Sequence, residues 1–288
     1  MGGSEIWLEV GEKMSVDDLL KAIIIQSAND ATVALAEYTA GSEEEFLKQM
    51  NEHAAKLGMN DTYYLNTTGF DEEGQYTCAY DIALVARELM KYPLVFNYTT
   101  IWMDELRDGK TMLTNTNKLL KTYSGITGLK TGTTDDAGNC FCGTAQRDGM
   151  NLISVVLGSE TSEERFSASR ALLDYGFARW SVCKLPRDDI QIPNVKVVGG
   201  MDTEICGELS VKEMTLLVPK GTADKVETKV IMNEDVGAPV EKGQTIGTVL
   251  VTLDGEELAR ITVLSQYSLG EITVKSAFAI LWTAFLKK

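Results

Sequence analysis

The chain has 288 residues, enough for a sizeable core and for two domains. At 44% hydrophobic and 24% charged residues it has the composition of a folded globular protein, which argues against a disordered chain and against a multi-span membrane protein. With 27 basic against 42 acidic residues, a net charge of −15, it offers no phosphate-tracking surface, so nucleic acid is not expected as a partner.

Helices dominate up to about residue 185. Ser15 and Asp18 open SVDDLLKAIIIQ as a capping box. Further helices are expected over 30–40, over 43–57 and over 78–91, the last stopped by Pro93. Ser42 with Glu45 opens the 43–57 helix and Gly58 closes it. In IIIQSANDAT, Ser27 and Asn29 fall at a break between two buried segments, where polar side chains need partners or a task. The single histidine, His53, reads as a solvated residue of the 43–57 helix. A histidine-dependent triad or a multi-histidine metal site is therefore not expected, and the base of any hydrolase here is not imidazole.

GITGLKTGTTDDAGN, residues 125–139, opens a series of strands. Glycine in a strand lets a ligand backbone approach closely. Lys130 supplies a fixed positive charge, and Thr131 and Thr133 supply hydroxyls for an anion; a surface turn with a solvated lysine fits the same residues. NCFCGTAQ and MNLISVVLG flank Arg147-Asp148-Gly149, so 139–158 reads as a hairpin. A helix follows in SEERFSASRALLDYGFARW, with Thr161 and Glu164 at its start. Helices, then a sheet, then a packing helix indicate a mixed α/β (α+β) fold.

From about 186 short β-type runs alternate with Gly, Pro and Asp-Gly punctuation, which indicates a small all-β domain over 187–270 with a hairpin at Asp254-Gly255. In the tail, 271–288, Phe278, Leu281, Trp282 and Phe285 recur at helical spacing between Lys275 and the final Lys287-Lys288. Its apolar length is well short of the ~20 residues that cross a bilayer. It suits a helix lying in the membrane interface, the alternative being a helix docked on its own protein. Five scattered cysteines include a C-x-C pair, Cys140 and Cys142, without further ligands at zinc spacing. They read as small buried hydrophobes, and no metal or cofactor is called for.

Taken together, Ser27-Ala28-Asn29 followed by Lys130-Thr131-Gly132-Thr133 resembles the penicillin-recognising serine enzymes, whose pattern is S-x-x-K, then S-x-N, then K-T-G. The stretches SEIWLEVGEKMSVDDLLKAIIIQSANDATVALAE and LGMNDTYYLNTTGFDEEGQYTCAYDIALVAREL look like the low-molecular-weight D-alanyl-D-alanine carboxypeptidases, the peptidase S11 family. The resemblance covers nearly the whole chain. It implies a penicillin-binding-protein/β-lactamase-like domain over 1–186, an antiparallel sheet with helices, ahead of the β-rich domain and the tail. It also implies removal of the terminal D-Ala from peptidoglycan stem peptides ending in D-Ala-D-Ala, through an acyl-serine. β-Lactam antibiotics are then the inhibitors of the complete enzyme, and the extracytoplasmic face of the bacterial cytoplasmic membrane is its location.

By the same resemblance Ser27, Asn29 and Lys130 are the catalytic residues present. Lys130, Thr131, Gly132, Thr133 and Arg165 bind substrate, with Arg165 helping to hold the terminal carboxylate. The family's nucleophile and base come from S-x-x-K ahead of S-x-N, and none of the 26 residues before Ser27 forms it. The only literal match, Ser181-Val182-Cys183-Lys184, comes after K-T-G and is expected to be a chance match. The expectation is a chain lacking the first part of its domain and inactive as it stands. A non-catalytic wall-binding or regulatory homologue and, further off, a β-lactamase are the alternatives.

Overall fold

A computed structural model describes residues 2–185 and 189–286. The chain forms two compact units, Met1–Ala178 and Arg179–Lys288. The domain boundary expected at 186/187 and the closing Lys287-Lys288 lie outside the described residues.

The first unit begins with α1 (Val16–Lys21), α2 (Asn29–Ala40), α3 (Glu43–Leu57), α4 (Ala79–Leu89) and the short α5 (Phe96–Thr99). The caps form as the sequence indicates, with Ser15 accepting from the Asp18 N–H and Ser42 from the Glu45 N–H. The run expected as one helix from Ser15 to Gln26 is instead α1 followed by a π-turn over Ala22–Gln26. That turn drives Ile25 and Ala28 into a core with Ile6, Leu19, Ala22, Ala31, Leu106 and Leu113. Burial of Ile25 and Ala28, both fully inaccessible, outweighs the poorer hydrogen bonding of the wide turn.

Leu106 and Leu113 come from a hairpin the sequence did not announce, β1 (Met103–Leu106) and β2 (Thr111–Thr114). After the short α6 (Leu119–Thr122) come β3 (Ile126–Thr134), β4 (Gly138–Arg147) and β5 (Met150–Ser159), an antiparallel sheet in the order β3-β4-β5. The β4–β5 hairpin closes through Asp148 and Gly149, both at positive φ, as a two-residue primed turn requires. Helix α7 (Ser162–Arg179) packs on this sheet through Phe166, edge-on to Phe141 at 5.1 Å, and through Ser169. Gly143 admits that approach, since a Cβ there would lie 2.9 Å from the hydroxyls of both Ser154 and Ser169. Strand β3 is an edge strand, so one side of Lys130-Thr131-Gly132-Thr133 has no strand neighbour in this sheet.

The second unit comprises β6 (Trp180–Lys184), β7 (Val195–Val198), β8 (Glu204–Ile205), β9 (Gly207–Leu209), β10 (Thr215–Pro219), β11 (Val226–Met232), β12 (Asp235–Gly237), β13 (Thr245–Leu253) and β14 (Glu256–Ser265). Its sheets run β10-β6, β11-β13-β14-β9 and β12-β7-β8 around Val195, Ile205, Val236, Ile246, Val249, Val251, Ile261 and Val263. Asp254-Gly255 turns the β13–β14 hairpin, both residues at positive φ. Helix α8 covers Val274–Leu286. Glu271 pairs with Gly200 and the Ile272 N–H donates to Gly199 O, so these two residues belong to the β framework rather than to the helix.

Candidate active site

The π-turn ends in Ser27, which adopts the left-handed conformation (φ 63°, ψ 41°) between buried Ile25 and Ala28. That conformation costs a non-glycine residue about 1–2 kcal/mol, and here it turns the hydroxyl out of the core. Lys130 comes to meet it from β3. Its Nζ donates to Ser27 Oγ at 2.7 Å and to Thr131 O at 2.8 Å. Burial, and secondly the Arg165 charge, pull the Lys130 amine down to about 8 from its ordinary 10.5.

Asn29 is the first residue of α2 and faces the N-terminal segment. Its backbone N–H donates to Ser4 O at 2.8 Å and its Nδ2 to Gly2 O at 2.9 Å. Gly3 has to be glycine, because it has φ +73° and a Cβ would come within 2.6 Å of Asn29 Nδ2 and 3.1 Å of Phe70. Asp30 extends the strapping by accepting from the Ile6 and Leu8 N–H groups. From the β1–β2 turn, Arg107 donates to Ile6 O at 2.7 Å and pairs with Glu12 at 2.7 Å, holding the Glu12 carboxyl down to about 2. Ser27 and Lys130 are thus in direct contact, and Asn29 stands two residues on, engaged with residues 2–4.

Arg165 is buried, not a surface residue of α7. Its Nη1 donates to Gly132 O at 2.8 Å, to Thr133 Oγ1 at 3.0 Å and to Cys140 O at 3.2 Å. Desolvation lowers its pKa, and its Nε has no hydrogen-bond partner among the described residues. The Thr133 side chain is exposed and also reaches Asn139 Oδ1 at 3.3 Å. Thr131 is buried, its hydroxyl 2.5 Å from Thr116 Oγ1, while Gly132 is exposed on the strand edge.

Sequence reasoning missed Thr116 and its neighbours. Thr116 N donates to Ile25 O in the π-turn, and Asn115 Nδ2 donates to Ile101 O, so the 115–117 loop ties Ser27's turn to Lys130's strand. Alternating short polar residues in TNTN between Leu113 and Leu119 were the available signal. The cysteines are all free, but Cys183 alone is buried; Cys78, Cys140, Cys142 and Cys206 are partly exposed. In the second unit, Ser181 and Lys184 lie on β6. Residues i and i+3 of a strand point to opposite faces, whereas a helix would place them together, so this S-x-x-K cannot act as a dyad.

Three comparisons bear on this arrangement. A family model described as D-alanyl-D-alanine carboxypeptidase, peptidase S11, matches residues 1–161, and one for the C-terminal domain of penicillin-binding protein 5 matches residues 185–271. D-alanyl-D-alanine carboxypeptidase DacF of Bacillus subtilis is 40% identical over 99% of this chain and 75% of its own. The crystal structure of penicillin-binding protein 5 from Haemophilus influenzae superposes with a TM-score of 0.79 at 30% identity, over 93% of this chain and 78% of that one. Penicillin-binding protein D2 of Listeria monocytogenes in its ampicillin-bound form gives a TM-score of 0.56 at 36% identity, over 62% of this chain and 74% of its own.

Proposed function

Because the chain belongs to the peptidase S11 family of D-alanyl-D-alanine carboxypeptidases, we propose that Ser27 and Lys130 form the proton relay of such an enzyme and that the edge of β3 holds the substrate. The family's reaction, hydrolysis of the bond between two terminal D-alanines, is the function of this chain's relatives and fold.

The observation that carries the role assignment is the 2.7 Å contact from Lys130 Nζ to Ser27 Oγ. An ammonium has only donors, so Ser27 accepts from it and keeps its own O–H free to point outward. That proton goes to the amine nitrogen of the departing D-alanine. The proton released by the attacking serine replaces it, Lys130 holding the hydroxyl in place throughout. The stem peptide adds as an extended strand along residues 130–134, and the Thr133 N–H donates to the oxyanion. Losing one such donor typically costs about 2.7–4 kcal/mol of transition-state stabilisation. Arg165, buried behind Gly132 and Thr133, sets their position and supplies a positive field for the substrate's terminal carboxylate. Asn29, two residues beyond Ser27, keeps its Nδ2 on Gly2 O, so its part in orienting the substrate's amide is assigned to its remaining amide oxygen.

β-Lactams imitate that peptide and inhibit the complete site. Helix α8 holds the protein at the outer face of the bacterial cytoplasmic membrane. In support, Phe278, Trp282 and Phe285 are exposed along one side, stacked in series at 6.3 and 6.4 Å. No helix among the described residues is long and apolar enough to cross a membrane, and the exposed aromatic side of α8 suits a helix lying in the interface.

These 288 residues hold no S-x-x-K ahead of Ser27, so we assign them the relay and substrate wall without the nucleophile. The test compares the 288-residue chain with one carrying a relative's S-x-x-K segment ahead of residue 2. The first should neither release D-alanine from a D-Ala-D-Ala peptide nor gain the mass of penicillin. The second should do both, and Lys130→Ala in it should impair both. An adduct on Ser27 or Ser181 would refute the roles assigned, and a folded but inert chimera would favour a non-catalytic wall-binding protein.

A further inference from the structure

On the face of α3 a surface groove of about 760 Å3 lies between the helix and residues 63–66, lined among others by Glu44, Leu47, Glu52, Ala55, Tyr63 and Leu65. We propose that this groove binds an amino-sugar chain, the glycan to which a wall peptide is attached. The proposal rests on the carboxypeptidase reading for its choice of ligand.

The groove's volume is that of a small-ligand site. One wall is preformed: Asn51 clasps the backbone of Tyr64 from both sides, Nδ2 donating to Tyr64 O at 2.8 Å and Oδ1 accepting from Tyr64 N at 2.9 Å. Gln75 Oε1 accepts from the N–H groups of Leu65 and Asn66. Held this way, Tyr63 keeps 46% of its surface exposed, and Tyr76, its direct cross-strand partner, keeps 56%. Tyr63 lines the groove and Tyr76 does not, so the Tyr63 ring on its fixed backbone is the platform for the flat apolar face of a pyranose, with its polar tip for the sugar's edge. Among the described residues, the side chains of Glu44 and Glu52 have no hydrogen-bond or ion-pair partner, so they are free acceptors for hydroxyl, amide or amine groups.

Charge narrows the ligand. Glu43, Glu44 and Glu52 against Lys48 leave the lining acidic, which rejects phosphorylated and nucleic-acid ligands and suits neutral or cationic sugars. Position connects the groove to the candidate active site. Beyond Asn66 the same loop places Phe70 beside Gly3, and Asp71 Oδ2 accepts from the Asp136 N–H at the β3–β4 turn. One side of this loop therefore meets the N-terminal segment that Asn29 holds and the turn that ends Lys130's strand, and its base forms the groove. A polymer whose peptide enters the cleft can lay its sugar chain along α3.

The test titrates the 288-residue chain with N-acetylchitotetraose, with its deacetylated tetramer and with cellotetraose, following backbone amides by NMR. Saturable shifts at Asn51, Glu52 and Tyr63 with a dissociation constant of about 1 mM are expected for the two amino-sugar oligomers. Tyr63→Ala should weaken binding about tenfold. Glu52→Gln, an exposed change that leaves the helix intact, should weaken the deacetylated oligomer more than the acetylated one. No saturable shift at these amides, shifts confined to other surfaces, or equal binding of cellotetraose would overturn the proposal. Because binding is read without turnover, that failure would leave the carboxypeptidase reading standing. Failure of the D-alanine assay, in turn, would not mimic lost sugar binding.

Discussion

Replacing Lys130 by Met keeps the length of the side chain and removes its charge. In the folded chain burial holds the Lys130 amine at about 8, against 10.5 in the unfolded chain. The sign follows from proton counting. Between those two values the unfolded state binds more protons than the folded state, so Lys130 makes stability rise with pH across that window. Below about 8 the cost of burying the charge is present in full, and above 10.5 it is gone. At ~1.36 kcal/mol per pH unit the window corresponds to roughly 3 kcal/mol. Urea titrations of the chain and of Lys130→Met at several pH values, taken as a difference, cancel the other titrating groups. The difference should move in favour of the lysine chain by about that amount between pH ~7 and ~11. NMR of the labelled lysine should show the same midpoint directly. A flat difference, or a Lys130 that titrates above about 10, would show that the amine is solvated and would remove the electrostatic basis of the relay.

Arg165→Ala should destabilise the first unit by about 2–3 kcal/mol in urea unfolding, because it strands the acceptors on Gly132, Thr133 and Cys140; Arg165→Lys should recover little, lacking the planar fork. Thr116→Val should cost about 1–3 kcal/mol by leaving the buried Thr131 hydroxyl without its partner, and no loss by thermal denaturation would show that water replaces it. Deleting residues 274–288, which spares the Glu271 and Ile272 contacts, should abolish flotation with anionic vesicles at an unchanged melting temperature. Unchanged flotation would show that α8 is not the anchor.

Much of this protein was legible in its sequence wherever the cause is local. Ser15 and Ser42 cap their helices because a side chain reaches an N–H three residues on, and Asp148-Gly149 and Asp254-Gly255 turn hairpins because those two residues accept positive φ. The spacing of S-A-N and K-T-G pointed to the family, which the comparisons bear out, because such motifs are read without knowing where they fold. The π-turn was not legible: local propensity continues the helix, and only the packing of Ile25 and Ala28 against Leu106 and Leu113 stops it. Nor was the burial of Arg165, whose place on an acidic, polar helix start reads as surface. Ser181 and Lys184 have the spacing of a helical dyad but belong to a strand. By itself, then, the sequence determined the capped helix starts at Ser15 and Ser42, the hairpins at Asp148-Gly149 and Asp254-Gly255, and the identity of the chemical groups, while the β1–β2 hairpin waited on its long-range packing. Tertiary structure alone decided that Ser27 meets Lys130 across 103 residues and that this lysine loses its proton near 8. Desolvation and long-range contact depend on what the whole chain packs around a group, not on the residues beside it.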